Sequence, residues 1–260
     1  MSFDMQRERA ADWRFVLATD LDGTFLGGDE DDRRALYAHL EDRRGDTGLV
    51  FVTGRDPAFI EELCGDGFVP WPDFVVGDVG TTIAAIVDRR VTPITALEAE
   101  IAELWGDRGA EVKRRLDGKA GITLQPTDFR HRVSYYFDPL RYDGEAARTV
   151  AAMGLDHLIS ADTYFDVLPP GVSKGPSLLR LVDWLGLARA RVLVAGDTLN
   201  DYSMFETGLP GVAVGGSEPA LLTRVADKPH VHKAEAIGAA GIAEAMRRFG
   251  FAAAGEPDAL

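Results

Sequence analysis

The chain has 260 residues, 46% hydrophobic and 27% charged, which suits one large α/β domain or a domain carrying an inserted smaller one and argues against a disordered chain. Its 42 acids against 28 bases give a formal net charge of −14, which disfavours nucleic-acid and anionic-membrane partners and requires any phosphate site to be locally basic. Cys64 is the one cysteine, Met1 to Arg14 carry charges where a signal peptide needs an apolar core, and no apolar run reaches membrane-spanning length; the expected setting is cytoplasmic, with no membrane association.

Phe15 to Ala18 form an apolar run without polar alternation, the pattern of a strand covered on both faces, and it stops at Asp20-Leu21-Asp22-Gly23-Thr24. Leu36, Tyr37 and Leu40 at helical spacing predict a helix over Arg33 to Arg44. A second strand, Gly48 to Val52, ends at Thr53-Gly54-Arg55 and leads to a helix from Pro57 to Leu63. The third strand, Asp73 to Val76, runs into Gly77-Asp78-Val79-Gly80-Thr81-Thr82.

From Asp88 to Asp166 the character changes. Charged helical stretches at Leu97 to Arg115 and Gly144 to Ala152 flank the β-branched and aromatic segment Arg132 to Phe137, with strand signals at Gly121 to Leu124 and Thr163 to Leu168. This predicts a small sheet with helices on one face. The βα alternation resumes with a helix from Lys174 to Leu185, a strand at Arg191 to Ala195, a helix from Asp201 to Thr207, a strand at Val212 to Val214 and a last helix from Ala236 to Phe249. Ala252 to Leu260 read as a loose tail. The expected fold is therefore α/β: a Rossmann-like parallel core in two parts, 1–87 and 168–260, with an inserted α+β cap domain at 88–167.

In open α/β sheets ligands bind at the carboxyl ends of strands, where Asp20 and Asp22 fall. A carboxylate is a usable nucleophile toward phosphorus once charge repulsion is cancelled, and a second acid can protonate the leaving alcohol. Asp-Gly after a strand is by itself ordinary turn chemistry, so the partners decide. Gly196-Asp197-Thr198-Leu199-Asn200-Asp201 follows another apolar strand and clusters hard oxygen donors suited to Mg²⁺, although Asp197 or Asn200 alone is also a helix cap. Lys174 can supply positive charge, and Thr53 with the N–H of Gly54 ends its strand in an anion-binding turn.

These four signals resemble, in order and in placement at strand ends, the motifs of the haloacid dehalogenase (HAD) phosphohydrolase superfamily. The resemblance implies Asp20 as nucleophile, Asp22 as acid and then base, and Thr53, Gly54, Lys174 and Asn200 as phosphate ligands. It implies a metal held by Asp20, Asp197 and Asp201 and by the backbone carbonyl of Asp22, with Arg55 among the substrate contacts. The insertion lies between the second and third motifs, as in members with a type II cap. Val79-Gly80-Thr81, His131 to Tyr136 and Asp166 to Gly175 further resemble runs of the sucrose-phosphate phosphatases. That branch implies a Mg²⁺-dependent phosphatase acting through an aspartyl-phosphate intermediate on a glycosyl or disaccharide phosphate such as sucrose 6-phosphate. Mannosylfructose phosphate and glucosylglycerol phosphate are close variants, and association with a glycosyltransferase synthase stays open. Thr198-Leu199 and Asp78 depart from the branch and put the sugar in question rather than the hydrolysis.

Strand alternation in His131 to Tyr136 sets Arg132, Ser134 and Tyr136 on one face, making Arg132 and Ser134 the candidate sugar contacts. A sugar phosphomutase of the phosphomannomutase type uses the same nucleophile and remains the alternative. A dehalogenase is disfavoured because halides need no acid such as Asp22, and a non-catalytic regulatory role is weak while every expected catalytic residue is present.

Overall fold

Phe15–Thr19 (β1), with all five side chains buried, occupies the middle of the larger of the two sheets found among the described residues. The structure, a computed structural model, describes residues 3–251; the tail expected at 252–260 lies outside them. Cα packing divides the chain into a unit that ends at Ile94 and resumes at Lys174, and a second unit, Thr95–Ser173.

Helix α1 (Phe3–Ala11) precedes β1, and α2 (Glu30–Asp42), β2 (Thr47–Val52), α3 (Pro57–Gly65) and β3 (Phe74–Gly77) follow it. Asp29 caps α2 by accepting from the Asp32 N–H, and Asp56 caps α3, whose first residue is Pro57. β4 (Thr82–Val87) and β5 (Arg90–Pro93) then extend the sheet antiparallel to β3. After the insertion come α7 (Lys174–Leu185), β10 (Val192–Gly196), α8 (Tyr202–Phe205), β11 (Gly211–Gly215), α9 (Pro219–Arg224), β12 (Val231–Ile237) and α10 (Gly238–Arg248). Among the described residues the sheet order is β12-β11-β10-β1-β2-β3-β4-β5, parallel from β12 to β3. Leu17, Phe25, Leu36, Phe51, Val75, Leu193, Val212 and Ile242 share one buried cluster on it. Burying each such side chain is worth about 1.5–3 kcal/mol, so the uninterrupted apolar strands are what hold the sheet between its helices.

The second unit carries α4 (Thr95–Trp105), α5 (Gly109–Leu116), β6 (Ile122–Leu124), β7 (Val133–Phe137), α6 (Glu145–Ala152), β8 (Asp156–Ser160) and β9 (Tyr164–Leu168). Its strands pair antiparallel in the order β6-β7-β9-β8. Val133, Tyr135, Phe165 and Val167 point to one face and pack with Val112, Leu116 and Val150 of the helices, leaving Ser134 and Asp166 opposite each other on the other face.

Several boundaries differ from those read in the sequence. Asp88 and Arg89 turn β4 into β5 with left-handed φ of 49° and 59°, so the chain stays in the large sheet until Ile94. The charges there had marked a change of character at 87/88. The helix expected over Leu97 to Arg115 is two, parted by Gly106 and Asp107 at φ 60° and 53°. Ala236 lies in a strand rather than opening a helix: β12 alternates inward and outward side chains through Ile237, and α10 begins at Gly238. Asp201 ends a single 3₁₀ turn, with α8 beginning at Tyr202. α1, β4, β5, β8, α9 and β12 were not anticipated. Among the described residues no helix is long and apolar enough to cross a membrane.

Candidate active site

β1 hands the chain to one wide turn, Leu21–Phe25, in which Phe25 N–H donates to the Asp20 carbonyl at 3.2 Å and Leu26 N–H to that of Leu21 at 2.9 Å. Such i→i−5 bonding makes room for a kink: Asp22 is extended (φ −69°, ψ 121°) and Gly23 left-handed (φ 80°). Only glycine fits at 23, because a Cβ there would collide with Oδ2 of Asp197. The kink sorts the two acids. Asp20 is buried, whereas the side chain of Asp22 is 55% exposed.

At the end of β10, Gly196 admits Asp201 closely: a Cβ at 196 would lie 2.6 Å from that of Asp201. Asp201 Oδ2 accepts the N–H groups of Asp197 and Thr198, each at 3.0 Å, which leaves Oδ1 for Lys174. Thr24 Oγ1 donates to Asp197 Oδ1 at 2.7 Å and so ties the first turn to this one. Lys174, the first residue of α7, is fully buried and donates to Asp20 Oδ1 at 2.6 Å, Asp201 Oδ1 at 2.6 Å and Asn200 Oδ1 at 2.9 Å.

One ammonium thus faces the carboxylates of Asp20, Asp197 and Asp201. Burial alone would lower Lys174, but Asp20 and Asp201 outweigh it and hold the amine above the ordinary lysine range. Asp20 is pushed up to about 8, by burial first, with Asp201 and Asp197 adding to it and Lys174 opposing. Asp197 is pushed up to about 6 by burial and by Asp201, against the Thr24 hydrogen bond. The donor set fits a hard divalent cation: each of these aspartates offers an oxygen, all within 4.8 Å of one another, and their charge exceeds what Lys174 can balance. The carboxylate of Asp22 is turned elsewhere.

That carboxylate is held by Arg55, at the end of β2, through Nε to Oδ2 at 2.9 Å and Nη2 to Oδ1 at 3.0 Å. The guanidinium also lies 4.5 Å from the ring centre of Phe59. Thr53 is buried; its N–H donates to the Val76 carbonyl at 2.9 Å, and its Oγ1 accepts the Arg55 N–H at 3.2 Å. Beside it, Asp78 and Val79 are buried and left-handed, at φ 51° and 60°. A β-branched residue there carries about 1–3 kcal/mol of strain, which surrounding bonds must offset. The Asp20, Lys174, Asn200, Asp197 and Asp201 side chains expected from the sequence therefore meet, and Asp22 pairs with Arg55. Glu218, which accepts the Leu199 N–H at 2.9 Å and adds to the acidity around Asp197, was missed.

In the second unit Arg132 and Ser134 do meet, on a residue not singled out. Arg132 Nη1 donates to Asp166 Oδ1 at 3.1 Å and Ser134 Oγ to the same oxygen, with all three side chains buried. Burial holds Asp166 above the usual carboxylate range against both donors. The signal was legible as an acid in the middle of the apolar strand β9, a placement that requires partners.

The sucrose-6F-phosphate phosphohydrolase family matches residues 13–250. A glucosylglycerol-phosphate synthase of Pseudomonas anguilliseptica is 42% identical over 242 residues, covering 91% of this chain but 31% of the relative. A mannosylfructose-phosphate phosphatase of Agrobacterium fabrum is 31% identical over 250 residues, covering 90% of this chain and 96% of the relative. Among solved structures, the sucrose-phosphatase of Synechocystis sp. PCC6803 in complex with sucrose and phosphate superposes with a TM-score of 0.81 at 26% identity, over 92% of this chain and 98% of that one.

Proposed function

The chain belongs to the sucrose-6F-phosphate phosphohydrolase family, HAD-type sugar phosphatases, and from that premise we propose that it hydrolyses a glycosyl phosphate by way of an aspartyl phosphate on Asp20. The observation that carries the reading is the buried Lys174 ammonium bonded at once to Asp20 and Asp201 beside Asp197. Mg²⁺ on Asp20, Asp197 and Asp201, with the Asp22 carbonyl, would supply the charge that lets a phosphate dianion approach a carboxylate. Lys174 adds the fixed positive charge, with Asn200 orienting it.

In the proposed reaction Thr53 Oγ1 and the Gly54 N–H hold phosphate oxygens while a carboxylate oxygen of Asp20 forms a bond to phosphorus. The bond from phosphorus to the sugar oxygen breaks, and Asp22 gives that oxygen its proton. Water then attacks phosphorus, loses a proton to Asp22, and releases phosphate with Asp20 restored. Arg55, Arg132 and Ser134 are the proposed substrate contacts, the last two set by Asp166.

Of the sugars, glucosylglycerol phosphate ranks first, mannosylfructose phosphate second and sucrose 6-phosphate third; the 42% and 31% identities to relatives named for the first two support that order. A relative that is a longer synthase chain supports association with a glycosyltransferase synthase. A cytoplasmic setting is the reading that the single cysteine supports, since Cys64 has no second thiol in the sequence to pair with. Inorganic-phosphate release from these three phosphates and from monosaccharide phosphates, with and without Mg²⁺, tests the reading. Release from a glycosyl phosphate with Mg²⁺ alone supports it. Isomerisation with phosphate retained would make the protein a mutase, and inertness toward all of them would end the proposal.

A further inference from the structure

The left-handed turn at Asp78 and Val79 lies against the loop proposed to hold phosphate, and its hydrogen bonds are aimed at that loop. Val79 N–H donates to the Thr53 carbonyl at 3.1 Å, and Asp78 N–H donates to the Arg55 carbonyl at 3.0 Å. A trans peptide sets its C=O and N–H on opposite sides, so pinning the Thr53 carbonyl to Val79 aims the Gly54 N–H away from the turn. Val79 Cγ2 lies 3.8 Å from the point that a Cβ of Gly54 would occupy, so the side chain backs the same peptide. Reversal of that peptide would have to displace Val79, which is buried.

The turn is also braced from behind. Thr82 Oγ1 donates to Asp78 Oδ2 at 2.6 Å, and Thr81 Oγ1 to the Asp78 carbonyl at 2.9 Å. Ser177 Oγ donates to the Gly80 carbonyl at 2.7 Å, and Ser177 stands three residues after Lys174, on the same face of α7. The turn therefore ties the loop of Thr53, Gly54 and Arg55 to the helix that presents Lys174. Left alone, a valine leaves φ 60°; here three separate side-chain bonds hold its turn there.

We propose that Val79 is a positioning residue for phosphate: it fixes the Thr53–Gly54 peptide with its N–H toward the phosphate, and Ser177 keeps that peptide in register with Lys174. The inference rests on the phosphatase reading above and adds a residue that touches neither substrate nor metal. It accounts for a strained, buried, β-branched residue next to a loop whose own sequence is ordinary turn chemistry.

The test uses Val79→Gly, which relieves the left-handed backbone and keeps the N–H while removing the backing side chain, and Ser177→Ala, which removes one hydroxyl. Both variants of the full chain are compared with the wild type for thermal midpoint, for kcat and KM on a glycosyl phosphate and a small aryl phosphate, and for inhibition by inorganic phosphate. Without the Val79 side chain behind it the Thr53–Gly54 peptide loses its fixed aim, and misaligning that one donor to a charged phosphate should raise KM and the phosphate inhibition constant about tenfold in Val79→Gly, equally for both substrates. Ser177→Ala should raise them severalfold with a thermal midpoint close to wild type. A fall in kcat at unchanged KM and unchanged phosphate inhibition would mark a loss of folded protein only and overturn the inference. If Val79→Gly does not fold, Ser177→Ala decides alone, and wild-type phosphate inhibition in it overturns the proposal. A wild type that neither hydrolyses the esters nor binds inorganic phosphate would instead remove the phosphatase reading.

Discussion

Arg55 closes the edge of its guanidinium on both oxygens of Asp22, at 2.9 and 3.0 Å, in a pair that leaves both side chains about half exposed. An exposed pair contributes at most about 1 kcal/mol to folding, so its value lies in where it holds the proposed acid. Arg55→Ala should therefore leave the thermal midpoint nearly unchanged while lowering kcat/KM on a glycosyl phosphate about tenfold. Arg55→Lys should not restore it, because a point charge cannot grip both oxygens. An aryl phosphate whose leaving group needs no proton should lose less. Equal losses on both substrates would show that Arg55 acts on phosphate or folding and not through Asp22.

Asn at position 20 keeps the shape and the hydrogen-bonding reach of Asp but cannot form an acyl phosphate. Asp20→Asn should fold and lose about a thousandfold or more in turnover, because a covalent nucleophile has no substitute nearby. Removing a carboxylate from a crowded, buried cluster should also spare stability, given that burial already holds Asp20 far above the ordinary range. Phosphate release at the wild-type rate from a folded, deamidation-free variant would sink the assignment. Asp22→Asn should in turn discriminate by leaving group, failing on alcohols and retaining activated aryl esters.

How far these residues could be read beforehand depended on whether local pattern or tertiary pairing placed them. β1, β2 and β3 were visible because parallel strands covered on both faces appear as short unbroken apolar runs, and the start of α7 at Lys174 was visible from the turn residues before it. Asp20 at the end of β1, and Asp197 and Asp201 just after β10, were visible as acids following apolar strands, while their separate roles came from the resemblance to the HAD motifs. β12 was not visible, since Lys233, Ala234, Glu235 and Ala236 suit a helix by propensity and become a strand only by pairing with β11. The hairpin at Asp88 and Arg89 lacks the Asn-Gly that usually announces one. The Arg55 grip on Asp22 joins distant segments, and although an acid inside apolar β9 shows that Asp166 needs partners, nothing in the spacing announces that they are Arg132 and Ser134.

Metal and pH are coupled through the same carboxylates. Asp20 and Asp197 stand at about 8 and 6 against 3.8 unperturbed, so across that window the folded chain keeps protons that the unfolded chain has released. Stability without metal should then fall as pH rises from about 5 to 8, by on the order of 1 kcal/mol or more. The Lys174 contribution has the same sign but lies elsewhere: its raised value favours the folded state fully below the ordinary lysine range, so it is constant over this window. Mg²⁺ competes with those protons, so its stabilisation should grow with pH. Urea unfolding at both ends of the window, in chelator and in excess Mg²⁺, checks this. A chelated protein whose stability rises over the window would contradict the acidic cluster as described. Activity should vanish in chelator, and Ca²⁺ should inhibit, its looser and longer coordination displacing Asp20 from line with phosphorus.

Recognition of the sugar is the remaining prediction, and the buried cluster in the second unit sets how it must be tested. Arg132 and Ser134 share Oδ1 of Asp166 in a site with almost no solvent. Arg132→Ala would leave that carboxylate buried without its cation, at a cost of about 3–5 kcal/mol, so a loss of activity there confounds folding with recognition. Ser134→Ala removes one hydrogen bond to a charged group, about 1–3 kcal/mol, and is the cleaner probe. Assayed well below its thermal midpoint, Ser134→Ala should raise KM for the cognate glycosyl phosphate several-fold and leave a small aryl phosphate nearly unchanged. Arg132→Lys, which keeps the charge but loses the planar fork, should show the same split more strongly. Equal loss on both substrates would assign the pair to folding of β7 and β9, and no loss on either would mean that the sugar is read by other residues.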